Sequence, residues 1–236
     1  PTVVAGEESG GPEVPFAQAA AENEANGRRI LAGTVRRDER FTMILGEGDD
    51  RVVAVFRPRG RGLLDAPLTL VGQSSVVSFE GFDISVLDRQ VTRQPSSVPL
   101  LDYTTIQENG RWKHIHELSL NGKPVRLTLT VWPERGALRL AYDCTERVTD
   151  ICLGRADRDA PVVYYGHGYR IVKPKAFRAG FGGHNLASSH VGFEFKGGMS
   201  LLQATDVPPD YLEVSPDAGL YRLHTHYQSG MLTLMP

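Results

Sequence analysis

Residues 112–132 read WKHIHELSLNGKPVRLTLTVW, two alternating runs on either side of Asn121-Gly122. Alternation of apolar and polar residues is the period of a β-strand that buries one face. Asn-Gly is the favoured pair for a two-residue hairpin turn, because both of its positions need positive φ. The stretch therefore predicts that the strand Trp112–Leu120 pairs with the strand Pro124–Trp132. One face of the second strand would carry Val125, Leu127, Leu129 and Val131.

The same kind of sequence continues along most of the chain. Residues Ala137–Tyr142 predict a third strand next to the hairpin, which makes a meander. Short apolar runs separated by Gly, Pro or Asp are typical of a sandwich or barrel, and no helical pattern alternates with them. We therefore predict an all-β fold, a large antiparallel β-sandwich of the supersandwich type. The further predicted strands are Phe41–Leu45, Arg51–Phe56, Phe82–Leu87, Val162–Tyr165, His190–Phe195, Met199–Gln203, Tyr211–Val214, Leu220–Leu223 and Met231–Leu234.

The N-terminal residues differ from the rest. Residues 15–26, PFAQAAAENEAN, form the one Ala-rich stretch, and Gly27 follows where a helix would end. We predict a short helix over 15–26. The predicted organisation is an N-terminal extension, 1–27, followed by a single large β-sandwich domain, 28–236.

Composition excludes several functional classes. The 236 residues carry 26 Lys plus Arg against 28 Asp plus Glu, a net charge of −2, so no basic footprint for nucleic acid is present. No apolar run approaches the roughly 18 residues of a membrane-spanning helix. We expect neither a nucleic-acid nor a membrane partner. We also expect a secreted or periplasmic protein whose signal peptide is not part of this sequence.

Cys144 and Cys152 are the two cysteines of the chain. They either close a small loop as a disulfide or stay two separate thiols, because sequence alone does not supply the geometry of a bridge.

Two pairs of histidines have His-x-His spacing, His114/His116 and His224/His226. On a strand, residues two apart share a face, so each pair offers two metal ligands. Glu117 would lie on the opposite face from the first pair, and neither pair has a third ligand at suitable spacing. The simpler interpretation is a solvated strand face or loop. We therefore predict no bound metal and no cofactor.

The stretch from Tyr164 to Arg170, YYGHGYR, is the densest cluster of unusual residues. Aromatic rings stack on sugar C–H faces, His and Arg donate hydrogen bonds to hydroxyls, and Gly permits close approach. We predict that any carbohydrate site consists of Tyr165, His167, Tyr169 and Arg170, with a turn at the glycines. The alternative is a strand, a Gly turn and a second strand whose tyrosines cover the edge of the core.

Catalytic signatures are weak. The chain has no Gly-x-Ser-x-Gly, and Gly180-Phe181-Gly182-Gly183 does not stand between a strand and a helix as a phosphate-binding loop does. No catalytic residue is therefore predicted from the sequence.

Several segments of the last third resemble a known class of protein. They are Tyr165-Gly166-His167-Gly168, Gly192-Phe193-Glu194-Phe195, the run from Leu201 to Asp210, and Leu232-Thr233-Leu234. These segments resemble β-rich parts of large bacterial glycoside-hydrolase-like proteins, which carry a galactose-mutarotase-like β-supersandwich. The first also looks like a Tyr-Gly-x-Gly turn in the N-terminal sandwich of family 31 glycosidases, although Tyr169 stands here where that family has Glu. The resemblance covers residues 160–236 and assigns no catalytic residue.

Three functions follow as hypotheses. The first is a non-catalytic β-sandwich module of a carbohydrate-active protein, a scaffold and carbohydrate-binding surface beside further domains of a longer polypeptide. The second is a stand-alone carbohydrate-active enzyme of the mutarotase or lyase type that uses His and carboxylate residues. The third is a structural or protein-interaction sandwich without a small ligand. An enzyme requires His and carboxylate groups that converge in a pocket.

Overall fold

The computed structural model describes residues 41–45, 52–56, 62–72, 76–91, 98–153, 161–168, 175–180, 185–195, 199–205, 211–215, 219–225 and 227–236. These residues form eighteen β-strands and one 3₁₀ turn, with no α-helix among them. The prediction of an all-β fold is confirmed for this part of the chain. The helix predicted over 15–26 and the boundary after residue 27 lie outside it. In the same part, no helix is long and apolar enough to span a membrane.

A small antiparallel sheet comes first in the chain, with its four strands in sequence order. Its strands are β1 (Phe41–Leu45), β2 (Val52–Phe56), β3 (Leu68–Val71) and β4 (Val76–Phe79), and the 3₁₀ turn Gly62–Asp65 precedes β3. Val and Phe, which dominate β2 and β4, suit a pleated and buried surface.

The other fourteen strands form one large sheet in which the neighbouring strands are antiparallel. They are β5 (Phe82–Val86), β6 (Arg89–Gln90), β7 (Leu100–Glu108), β8 (Arg111–Leu120), β9 (Lys123–Glu134), β10 (Ala137–Cys144), β11 (Val148–Leu153), β12 (Pro161–Gly168), β13 (Lys175–Gly180), β14 (Asn185–Phe195), β15 (Ser200–Thr205), β16 (Tyr211–Ser215), β17 (Gly219–His224) and β18 (Ser229–Met235).

Strands β10 and β11 follow one another in the chain but lie apart in the large sheet; their connection is called the corner here, and the strands beyond each of them towards an end of the sheet are called its two arms. Strand β10 pairs with β18 and β9, whereas β11 pairs with β17 and β5. The corner itself is hydrogen-bonded: the Cys144 N–H donates to the Gln228 carbonyl at 2.8 Å, and the Val148 N–H donates to the Tyr227 carbonyl at 3.2 Å. One arm continues as β9-β8-β7 and the other as β5-β6, so the meander β7–β10 extends away from the corner.

Tight turns set the register of the meander. The predicted hairpin is confirmed: Trp112 pairs with Val131 and Leu118 with Val125, and the turn residues Asn121 and Gly122 have φ of 54° and 77°. The β7–β8 and β9–β10 connections also have two successive positive φ values, the pattern of a type I′ turn. The third strand of the meander is confirmed as well. Strand β9 continues through Pro133-Glu134, which leaves a two-residue turn at Arg135-Gly136.

The two sheets share one apolar core. The predicted buried face of β9 is confirmed, because Val125, Leu127, Leu129 and Val131 are at most 3 % exposed. They belong to the same buried cluster as Phe56 and Leu70 of the small sheet. The small sheet therefore packs against the inner face of the meander, and the opposite face of the meander forms its outer surface.

Cys144 is a free, buried thiol, so the alternative of a disulfide to Cys152 is wrong. Burial raises the pKa of the Cys144 thiol, which keeps it protonated.

Candidate functional site

A groove of about 540 Å³ lies at the β7–β8 end of the meander. Alternation along β8 separates its two faces: Trp112 and His114 are buried, so Arg111 and Lys113 lie on the outer side. Lys113 is directly opposite Thr130 of β9. The β7–β8 turn brings the end of β7 to the same place. The described residues that line the groove are Glu108, Asn109, Arg111, Lys113 and Thr130.

Trp132 lies beside this groove and holds Arg111. The guanidinium carbon of Arg111 is 4.3 Å from the centroid of the Trp132 ring, a cation–π contact. The indole Nε1–H donates to Glu134 Oε2 at 3.3 Å, which orients the ring from its edge. A guanidinium that stacks on a fixed ring keeps its N–H groups in a defined plane at the rim of the groove.

The groove is rich in cations that have no carboxylate partner within the described residues. No ion pair is formed there by Arg111 or Lys113, and Glu108 is the one carboxylate among the lining residues described. Two other arginines of the outer face have carboxylate partners. Arg126 Nε is 2.8 Å from Glu117 Oε1, and Arg139 Nε is 3.5 Å from Glu134 Oε2. The groove therefore offers an excess of positive charge together with hydrogen-bonding groups of both kinds.

The carbohydrate site predicted from Tyr164 to Arg170 is placed only in part. Tyr165 and His167 belong to β12, which is paired with β13 on one side and β14 on the other. The strand includes both glycines and ends at Gly168, so the turn expected there is wrong: pairing with β13 continues through them, while the pairing with β14 shifts register between Gly166 and Gly168. Tyr169 and Arg170 lie outside the described residues. A sugar contact by these four residues stays a prediction.

The His114/His116 pair faces the core, so the interpretation as a solvated strand face is wrong. The two side chains are 1 % and 0 % exposed. They share the parity of Trp112, Leu118 and Leu120 along β8, and this parity is the signal in the sequence that could have placed them inside. The prediction that Glu117 lies on the opposite face is confirmed by its ion pair with Arg126 on the outer side.

Hydrogen bonds and ring contacts hold the buried pair in place. His114 Nδ1 is 3.1 Å from Thr105 Oγ1, and His116 Nδ1 donates to the Leu127 carbonyl at 3.3 Å. The two imidazoles stack at 6.3 Å, and the Tyr103 ring stacks on His116 at 6.2 Å. Burial, and secondly the proximity of His116, lowers the pKa of His114 to about 3. His114 is therefore neutral at physiological pH.

The structure shows no metal centre in the residues that it describes. No group of three or more His, Cys, Asp or Glu side chains is placed there to hold an ion. Of the second histidine pair, His224 ends β17 and His226 lies outside the described residues. That this protein binds no metal stays a prediction.

The groove residues were missed by the sequence analysis. The outward parity of Arg111 and Lys113 is visible in the sequence, but a solvated charged face has the same pattern. A search of protein-family models and of curated proteins found no match to this chain. Function is therefore inferred from the geometry of the groove.

Proposed function

We propose that this chain is a non-catalytic carbohydrate-binding module of a carbohydrate-active, glycoside-hydrolase-like protein, built as a β-sandwich of the galactose-mutarotase-like supersandwich type. The observation that carries the proposal is the polar groove beside Trp132 on the outer face of the meander. The core shared by the small sheet and the meander supports a sandwich architecture.

The contents of the groove suit a saccharide. Its volume of about 540 Å³ falls in the range of small-molecule sites. Sugar hydroxyls both donate and accept hydrogen bonds. Arg111 and Lys113 supply donors, Glu108 supplies an acceptor, and Asn109 and Thr130 do both. Each exposed contact contributes only about 1 kcal/mol, so we expect millimolar to micromolar affinity for an oligosaccharide.

The position of the histidines favours binding over catalysis. His114 and His116 are the paired histidines whose side chains the structure describes, and both project into the core from the face of β8 opposite to the groove. Imidazoles in that position do not reach a ligand bound between Arg111 and Thr130. Proton transfer by a His–carboxylate pair, as the mutarotase or lyase alternative requires, therefore does not fit this groove.

As a module of this kind, the chain would work beside further domains of a longer polypeptide. It would act outside the cytoplasm, where polysaccharide substrates are found. Its rigid hydrogen-bonded meander would present the groove, and the rest of the sandwich would act as scaffold.

Glycan-array binding by the purified chain tests the proposal. We expect binding to at least one oligosaccharide and a several-fold loss for Trp132→Ala, which releases Arg111. Tyr227→Ala is the matched control, because Tyr227 is an aromatic residue, 37 % exposed, that is not part of the groove. His167→Ala in the same assay tests the site predicted from the sequence. If the chain bound no glycan, or if Trp132→Ala bound as the parent does, the proposal would be wrong.

A further inference from the structure

We propose that the groove recognises an acidic saccharide, one whose sugar units carry a carboxylate. This inference rests on the proposed function and names the class of ligand. Its basis is the charge of the groove: among the described residues, Arg111 and Lys113 line it with no carboxylate partner, against the one carboxylate of Glu108.

The spacing of the two cations suits one carboxylate between them. Arg111 and Lys113 are two residues apart on β8, so their Cα atoms are about 7 Å apart and both side chains leave the same face. The two side chains are long enough to converge on an anion above the strand. Lys113 acts as a point charge, whereas the guanidinium of Arg111 offers two parallel N–H donors to a carboxylate.

The plane of the guanidinium is set before a ligand arrives. Arg111 stacks on Trp132 at 4.3 Å, and Trp132 is itself oriented by its hydrogen bond to Glu134. Less side-chain freedom is then lost when a carboxylate binds. Trp132 and Glu134 are thus positioning residues, and Arg111 makes the contact.

Glu108 distinguishes a sugar from a simple anion. Its carboxylate repels a small anion, but it accepts a hydrogen bond from a sugar hydroxyl next to the acid group. Glu108 is the last residue of β7 and pairs with Arg111 of β8, so an acceptor and a donor lie on either side of the same groove. A uronic acid, which combines hydroxyls with a carboxylate on one ring, satisfies both.

Two oligosaccharides that differ at the acid group alone, free or methylated, provide the test. The full chain is titrated by calorimetry with oligogalacturonate and with the same oligomer as its methyl ester. We expect the acid to bind at least about tenfold more tightly than the ester, since charge-assisted hydrogen bonds are about twice as strong as neutral ones. The preference should shrink at 1 M salt, where the screening length falls to about 3 Å.

Single-charge variants locate the effect. Arg111→Gln should weaken acid binding about tenfold and Lys113→Gln about threefold, and neither should weaken ester binding comparably. Arg126→Gln removes the same charge from the outer face outside the groove, where Arg126 pairs with Glu117, and should leave both affinities unchanged. Trp132→Leu should lower the ratio of acid to ester affinity, a change that general loss of stability does not produce.

The outcomes separate the two proposals. Equal binding of acid and ester would overturn the acidic specificity and leave the carbohydrate function standing. Polyglutamate binding as tight as oligogalacturonate binding would overturn both, because the groove would then be a general anion surface. If neither oligomer bound, the acidic specificity would be wrong, and neutral members of the glycan array would decide the function. The inference would also be overturned if Arg126→Gln abolished the tenfold preference for the acid, as Arg111→Gln is expected to do.

Discussion

Acid should destabilise this protein through His114, and the size of the effect follows from its burial. The pKa of His114 is about 3 in the folded protein and has an ordinary value of 6.5. The unfolded chain therefore takes up a proton as the pH falls through 6.5, while the folded chain stays neutral at this position until the pH is near 3. The stabilisation is complete above pH 6.5 and is lost progressively between 6.5 and 3.

At pH 5 the difference from the ordinary pKa is about 1.5 units, which corresponds to a loss of about 2 kcal/mol from the free energy of unfolding. Small domains have about 5–15 kcal/mol in total, so this loss is measurable. Urea unfolding at pH 7 and pH 5, followed by tryptophan fluorescence, reports it, because Trp112 is buried two residues from His114 on the same face of β8.

The variant His114→Gln removes the titration but keeps a polar group beside Thr105. Between pH 7 and pH 5, the free energy of unfolding of the parent should fall by about 2 kcal/mol more than that of this variant. Leu129→Val is the matched control: Leu129 lies directly opposite His114 on β9, and its truncation should cost about 1 kcal/mol equally at both pH values. The same acid sensitivity in His114→Gln as in the parent would refute the assignment to His114.

Three further predictions concern the meander. Gly122→Val should lower the free energy of unfolding by at least about 1 kcal/mol, because a β-branched residue resists the φ of 77° found there, while Gly122→Asn should cost less; equal chemical denaturation midpoints for the two variants would contradict this. Leu129→Ala should cost about 2–5 kcal/mol in the same measurement, because the side chain is fully buried in the shared core. Cys144 should react with a thiol reagent far more slowly in the native protein than in urea, because its thiol is buried with a raised pKa, and fast labelling of native protein would disprove that placement.

Local signals made the meander predictable. Alternation and Asn-Gly act over neighbouring residues, so the hairpin around Asn121-Gly122 and the apolar face of β9 could be derived without knowledge of the rest of the fold. The strand order of the large sheet could not be derived in this way. It depends on which distant segments pair, such as Asp150 with His224, and no local pattern encodes that choice.

Sequence reasoning was incomplete at the two candidate sites for different physical reasons. At Gly166 and Gly168 the sequence favoured a turn, but β12 stays paired with β13 through both glycines, and the irregularity there is limited to a shift of register against β14. The groove was missed because the outward positions of Arg111 and Lys113 show only that these side chains meet solvent. Whether solvent-facing side chains form a groove depends on the β7–β8 turn and on Trp132 of the neighbouring strand, which are set by tertiary structure.

Strand β8 shows how closely the core and the proposed site depend on one another. Its even-numbered residues, among them His114 and His116, face the core. Its odd-numbered residues face the outer side, where Arg111 and Lys113 line the groove. A register shift of one residue would exchange the two sets and place both cations in the apolar interior. The two-residue turns at either end of β8 prevent this shift because each fixes the pairing of the strand with its neighbour. The turn residues thus determine both that the two histidines lie in the core and that the two cations remain available to a ligand.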